Sequence, residues 1–187
     1  QVTWVDGDEL SCLVTVAEPG GEPWVGRSVR PSTDRPWGTV EPVEAAEGGD
    51  AYDAVVMFGA PARMVFATNR DGSSDIYLHD PEAGPAQRLQ PAINTGGMEW
   101  SPRVGRDNEL YFVRGDRQLR FQDGRIHEVR LPGPHRVVVI EAAPTADGRW
   151  LFMTTPRLRP VELDLDILVA PLAAEGLPGT AIVVDDW

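Results

Sequence analysis

Lysine is absent from this chain: all 17 basic residues are arginine, set against 29 acidic ones. That fits G+C-rich coding, given the abundant Ala, Gly, Pro and Val, rather than a functional choice. The resulting net charge of −12 argues against nucleic acid or an anionic membrane surface as partner, because both need a basic face. Cationic proteins and divalent metals remain compatible with it, and solubility alone would account for it. Cysteine occurs once, at Cys12, so no intramolecular disulfide can form. Within LSCLVTV that thiol reads as a small buried hydrophobe. No apolar run approaches the roughly 20 residues that span a bilayer, which argues against membrane insertion. The sequence opens at Gln1 with neither a methionine nor a signal-like stretch, as a mature exported chain or a trimmed one would.

Several chemistries are short of their residues. No Gly-x-Ser-x-Gly elbow is present for a serine hydrolase, and no phosphate loop or dinucleotide fingerprint occurs. Three histidines, His79, His127 and His135, are too scattered for a metal triad and read as surface or cross-strand residues. No window carries a 3.6-residue apolar period, and PLAAEGL at Pro171–Leu177 is broken by its glycine and the proline that follows. The expected class is therefore all-β.

What is present is repetition. Met64 to Tyr77 reads MVFATNRDGSSDIY, Glu109 to Arg117 reads ELYFVRGDR, and Trp150 to Leu168 reads WLFMTTPRLRPVELDLDIL. Phe66, Phe112 and Phe152 hold one place in it, 46 and 40 residues apart. A period of about 40–50 residues built from short strands is the mark of a β-propeller, one blade per repeat. The 19 glycines and 17 prolines spread among turns, as many short strands require. Strands are expected at Val2–Val5, Leu10–Ala17 and Trp24–Val29, then across a connector around Trp37 and Val40 at Ala54–Phe58, Met64–Thr68, Asp75–His79 and Ala86–Leu89. The third set is Glu99–Val104, Leu110–Arg114, Gln118–Gln122 and Ile126–Leu131. The fourth is Val137–Ala142, Trp150–Thr154, Asp166–Ala170 and Ala181–Val184. The whole chain, 1–187, reads as one β-propeller-like domain of about four short antiparallel blades, with repeats near 1–36, 37–92, 93–133 and 134–187. It is either a small ring or part of a larger one. Strands buried on both faces lose strict alternation, which accounts for runs such as MVFAT and DILVA.

The turn chemistry carries a family signal. NRDGSSDIYLHD (Asn69–Asp80) resembles the repeat of TolB-like β-propellers, and EWSPRVGRDNELYF (Glu99–Phe112) resembles the preceding half of the same repeat. APTADGRWLF (Ala143–Phe152) with DLDIL (Asp164–Leu168) gives both halves more degenerately. The third repeat departs from the pattern: Gln118-Leu119-Arg120 stands in place of Asp-Ile-Tyr. Its turn is Asp107-Asn108 rather than Asp-Gly, and asparagine tolerates the left-handed conformation required there. The fourth repeat inserts Arg157–Leu163, expected as the longest hairpin loop and, as insertions in repeats often are, a partner-specific feature.

Two constellations stand out. Arg70, Arg114 and Arg157 recur after the second strand of successive repeats. They either pair with Asp75 or Asp166 across the turn or form a ring that binds an anionic ligand at one mouth of the channel. Asp71, Ser73 and Asp75 place oxygen donors in one turn, which would suit calcium, although the spacing and distal glutamate of an EF-hand loop are missing. Otherwise Asp71 shapes the turn and Asp75 bonds amides at the strand entrance. No other cofactor is expected. Trp100 and Trp150 are expected to pack between blades. The closing Asp185-Asp186-Trp187 reads as an acidic tail or as the end of a clasp joining Val2–Val5 to Ala181–Val184.

The family resemblance implies a non-enzymatic binding module that holds another protein in a bacterial envelope complex, periplasmic or secreted. The alternatives are a propeller hydrolase or lyase acting on a glycan or peptide, or a non-catalytic fragment of a larger propeller. An unclosed ring would also self-associate through its open blade edges.

Overall fold

The computed structural model describes residues 10–46, 48–57, 63–129, 141–145, 147–158, 163–172 and 182–183, and every structural statement below concerns these. Val2–Val5, His135, most of Pro171–Leu177 and Asp185-Asp186-Trp187 lie outside them. Apart from one 3-10 turn at Glu44–Ala46, all regular structure is strand.

Fifteen strands form four antiparallel sheets, each a simple meander. The first sheet holds β1 (Leu10–Val16), β2 (Trp24–Arg30) and β3 (Glu41–Pro42). The second holds β4 (Ala51–Val56), β5 (Met64–Thr68), β6 (Asp75–His79) and β7 (Gln87–Arg88). β8 (Glu99–Val104), β9 (Leu110–Arg114), β10 (Arg117–Gln122) and β11 (Arg125–Glu128) form the third. β12 (Glu141–Pro144), β13 (Trp150–Leu158), β14 (Leu163–Pro171) and β15 (Ile182–Val183) form the fourth. Four small antiparallel sheets in sequence order are the blades of a propeller-like, all-β fold. By contacts the chain divides into a unit of Gln1–Pro102 and a unit of Arg103–Trp187.

In the first unit the core gathers Leu13, Val25, Ala51, Ala54, Met64, Phe66 and Tyr77. Phe66 and Tyr77 are direct cross-strand partners, with ring centroids 6.0 Å apart, the tilted aromatic pairing that a sheet stabilises well. All five residues of β5 are buried, so this strand is covered on both faces and its lost alternation is explained. β4 begins earlier than the expected Ala54, because a bulge between Tyr52 and Val55, with Asp53 at φ 54°, lets the pairing continue back to Ala51. The connector around Trp37 is not strandless. Glu41 and Pro42 pair with Arg27 and Gly26, and the Arg30 guanidinium lies 4.5 Å from the Trp37 ring centre.

The second unit is built around Tyr111, Val129, Ala142, Leu151, Met153 and Ala170. Its β8–β9 turn places Asn108 at φ 58°, the left-handed geometry anticipated for that residue. β13 and β14 pair over nine residues each, from Trp150 opposite Pro171 to Leu158 opposite Leu163. Of the stretch Arg157–Leu163, expected as a loop, residues 159–162 lie outside the described residues, and the remaining three belong to the strands. Arg157, Leu158 and Leu163 extend the strands, because Leu163-Asp164-Leu165-Asp166-Ile167 has the period-2 pattern of a strand. Ile182 and Val183 pair with Val169 and Leu168, at the edge of this sheet.

Candidate functional site

The recurrent arginines do different things. In the first unit, Arg70 lies over the rings of Tyr77 and Phe66, at 4.8 Å and 5.4 Å from their centres, so it caps the aromatic pair. Asp75, only 1% exposed, pairs instead with Arg88 at 2.7 Å and is also within reach of the Ser73 hydroxyl. Asp71 accepts the Tyr77 hydroxyl. These oxygens are thus committed locally, and no cluster of three or more His, Cys, Asp or Glu that could hold a metal occurs among the described residues. In the second unit, Arg114 lies 5.6 Å from the Phe112 ring centre, repeating the stacking of Arg70 on Phe66. Arg157 is opposite Asp164 in the β13–β14 register, and Asp166 is opposite Thr155.

Burial, reinforced by the bond to Asp71, pushes the Tyr77 phenol up to about 12. An unfolded tyrosine ionises near 10. The stabilising contribution of Tyr77 is therefore whole below pH ~10 and disappears as the pH rises through about 12. Difference titration of tyrosinate absorbance between wild type and Tyr77→Phe should give a phenol titrating about two units above the ordinary value. A difference centred at the ordinary value would contradict the buried bond.

The second unit carries the more consequential feature, a cleft of about 440 Å³. Its walls come from the β8–β9 turn (Arg106, Asp107, Glu109), from Arg120 and Gln122 on β10, from the turn entering β13 (Asp147, Gly148, Arg149, Trp150), and from Pro171 and Leu172. The carboxylates shape the turns. Glu109 accepts the Asp107 amide at 2.8 Å and presses against Gly105, where a Cβ would meet its carboxyl carbon at 2.5 Å. Asp147 accepts the Thr145 hydroxyl at 2.5 Å and the Arg149 amide at 3.0 Å. Those two bonds, the hydroxyl first, hold its carboxyl below the usual range.

The guanidiniums are not committed in this way. Arg106 and Arg149 are exposed at the rim. Arg120 is 6% exposed, and its buried Nε has no hydrogen-bond partner. Its direct cross-strand neighbour is Tyr111, which is fully buried. Burial pushes the Tyr111 phenol up, and Arg120 opposes that rise. None of the three arginines takes part in either ion pair found among the described residues, Arg88–Asp75 and Arg103–Glu141. A buried cation without an anion is costly, and no carboxylate among the described residues pairs with Arg120.

Beside the cleft, the fourth sheet turns an apolar face to solvent. Cross-strand partners share a face, and the register pairs Trp150 with Pro171, Phe152 with Val169 and Thr154 with Ile167. Phe152 is 44% exposed, Ile167 41% and Trp150 37%, while Leu151, Met153 and Ala170 on the opposite face are buried. Trp150 is therefore not packed between blades as expected. It stands at the junction of the apolar face and the cleft.

No protein-family model matches the sequence, and no curated protein matches it. Among solved structures, the chain is similar to TolB from Acinetobacter baumannii, at 14% identity over 95% of this chain and 40% of that one, TM-score 0.56. It is similar to a glycoside hydrolase at 10% identity over 98% and 48%, TM-score 0.63. An endo-arabinase from Bacteroides thetaiotaomicron matches at 13% identity over 96% and 77%, TM-score 0.52. The chain thus spans less than half the length of the first two. At such identities the likeness establishes the β-propeller fold alone.

Proposed function

We propose that the chain is a non-enzymatic binding module whose blades form a rigid frame and whose β13–β14 face holds another protein. The TolB-like turn motifs support a place in a bacterial envelope complex, periplasmic or secreted. The observation that carries the reading is the apolar face itself. Contiguous exposed apolar residues on one sheet mark interaction surfaces, and Phe152, Ile167 and Trp150 form such a group. Among the cleft's carboxylates, Asp147 is held below its ordinary range and so does not supply the raised carboxyl that a general acid needs.

Selection of displayed peptides against the folded protein tests this. Selected ligands should bind Phe152→Asp at least about tenfold more weakly than wild type, with an unchanged circular dichroism spectrum. Ligands indifferent to that substitution would refute the reading. A second reading is a hydrolase or lyase acting on a glycan or peptide. It draws on the likeness to a glycoside hydrolase and an endo-arabinase and on Asp107 and Glu109 in the cleft wall. Turnover of a glycan or peptide, abolished by Glu109→Gln, would favour it. A non-catalytic piece of a larger propeller would use the same face.

A further inference from the structure

We infer that the cleft receives a single carboxylate from the partner's docking segment, while the apolar side chains beside that carboxylate lie on the β13–β14 face. This rests on the binding-module reading and names the chemistry of the partner.

Three observations converge. The first is Arg120, a guanidinium more than nine-tenths buried in the cleft wall, whose Nε lacks a hydrogen-bond partner. Carboxylate is the group whose paired oxygens match a guanidinium fork, and it would give this buried charge the counter-ion that the chain withholds. The second is the division of labour around it. Glu109 and Asp147 are occupied with amides and a hydroxyl of their own turns, while Arg106 and Arg149 at the rim have no ion pair. The third is continuity. Trp150 lines the cleft and also begins the exposed row that runs through Phe152, so one extended segment can reach both.

The magnitudes limit the ligand. A space of about 440 Å³ suits a small ligand or a short extended segment rather than a folded surface. The chain's net charge of −12 would repel a run of acidic residues over distances of about a Debye length. One carboxylate among apolar neighbours escapes most of that repulsion. The carboxylate can come from a C-terminus or from an Asp or Glu side chain, and both present the same two oxygens.

The test titrates the whole chain with three synthetic peptides and reads Trp fluorescence: Ac-Phe-Leu with a free C-terminus, Ac-Phe-Leu-amide, and Ac-Phe-Glu-Leu-amide. At least one carboxylate-bearing peptide should bind about tenfold or more tightly than Ac-Phe-Leu-amide, and its affinity should fall with salt. The tighter of the two acids identifies the source. Arg149→Ala, at the exposed rim, should erase most of the preference without disturbing the fold, and Arg120→Met should erase it entirely. Equal affinity for acid and amide, with both lost in Phe152→Asp, would overturn the carboxylate inference and leave the binding module standing. Acid binding that survives Phe152→Asp unchanged would instead count against that module reading. No binding of any peptide at millimolar concentration would overturn the inference, as would a self-associated chain whose partner copy covers Phe152.

Discussion

Arg120→Met should make the protein more stable while removing its preference for carboxylate ligands. Most substitutions of a residue only 6% exposed destabilise. Here the native side chain carries a buried charge with no ion pair among the described residues, and its Nε makes no hydrogen bond. Methionine fills similar space without a charge to desolvate, and even whole buried ion pairs have been replaced by apolar residues with neutral or favourable effects of about 1–4 kcal/mol. A gain of roughly 1–3 kcal/mol in urea unfolding is expected. Stability gained together with binding lost is the signature of a residue retained for function. If Arg120→Met were destabilised by a similar amount, the guanidinium would be structural and the cleft would lose its claim to a ligand.

Asn94→Leu should produce the largest loss, about 3 kcal/mol from the first unit. Asn94 is 2% exposed and does the work of a missing strand residue along β6. Its Oδ1 accepts the Ile76 amide at 2.8 Å, and its Nδ2 donates to the Ile76 carbonyl at 2.7 Å and the Leu89 carbonyl at 3.2 Å. Leucine is of comparable size but satisfies none of these groups. The Ile76 carbonyl keeps the Leu89 amide at 3.0 Å. The Ile76 amide, a buried group, is left unpaired at about 1–3 kcal/mol, and the half-buried Leu89 carbonyl loses its bond to Asn94 as well. A fall in the urea midpoint at unchanged slope is the expected result. A loss below about 0.5 kcal/mol, the scale of an ordinary surface change, would show that Asn94 is not needed there.

The blades were legible wherever turn chemistry and strand composition agreed. β5, β6, β8 and β9 fall where MVFAT, DIYLH, EWSPRV and LYFVR placed them. In each, hydrophobic and β-branched residues are bounded by turn residues, so local preference and tertiary burial point the same way. β3 was not legible, because Glu41-Pro42 is short, exposed and contains a residue that cannot donate to a ladder. The long β13–β14 pair was misjudged because its arginines and Pro156 resemble a loop, although the Leu-Asp alternation of β14 carried the strand signal.

The site was harder to read, for a definite reason. The recurring arginines drew attention, yet recurrence here reflects the blade: Arg70 and Arg114 both stack on the phenylalanine of their own repeat. The informative arginine was the one that did not recur. Register places Arg120 opposite Tyr111 as Leu78 is placed opposite Val65, so Gln118-Leu119-Arg120 matches Ile76-Tyr77-Leu78, one residue on from the expected Asp-Ile-Tyr, and puts a cation where the preceding blade has leucine. The sequence contained that departure, but only burial reveals its cost. Trp150 and Phe152 likewise look like core residues in sequence. Their exposure is visible only once the register assigns them to the open face of their sheet.

The central claim is that this open face, together with the cleft at its end, is where a partner docks. Amide chemical-shift mapping on the labelled protein, with the tightest ligand from the peptide selection, tests it most directly. The account predicts perturbations concentrated at Trp150–Thr154, Ile167–Ala170, Arg106 and Arg149. Perturbations centred instead on the first unit, for example at the smaller cleft lined by Trp24, Pro42 and Gly49, would contradict it.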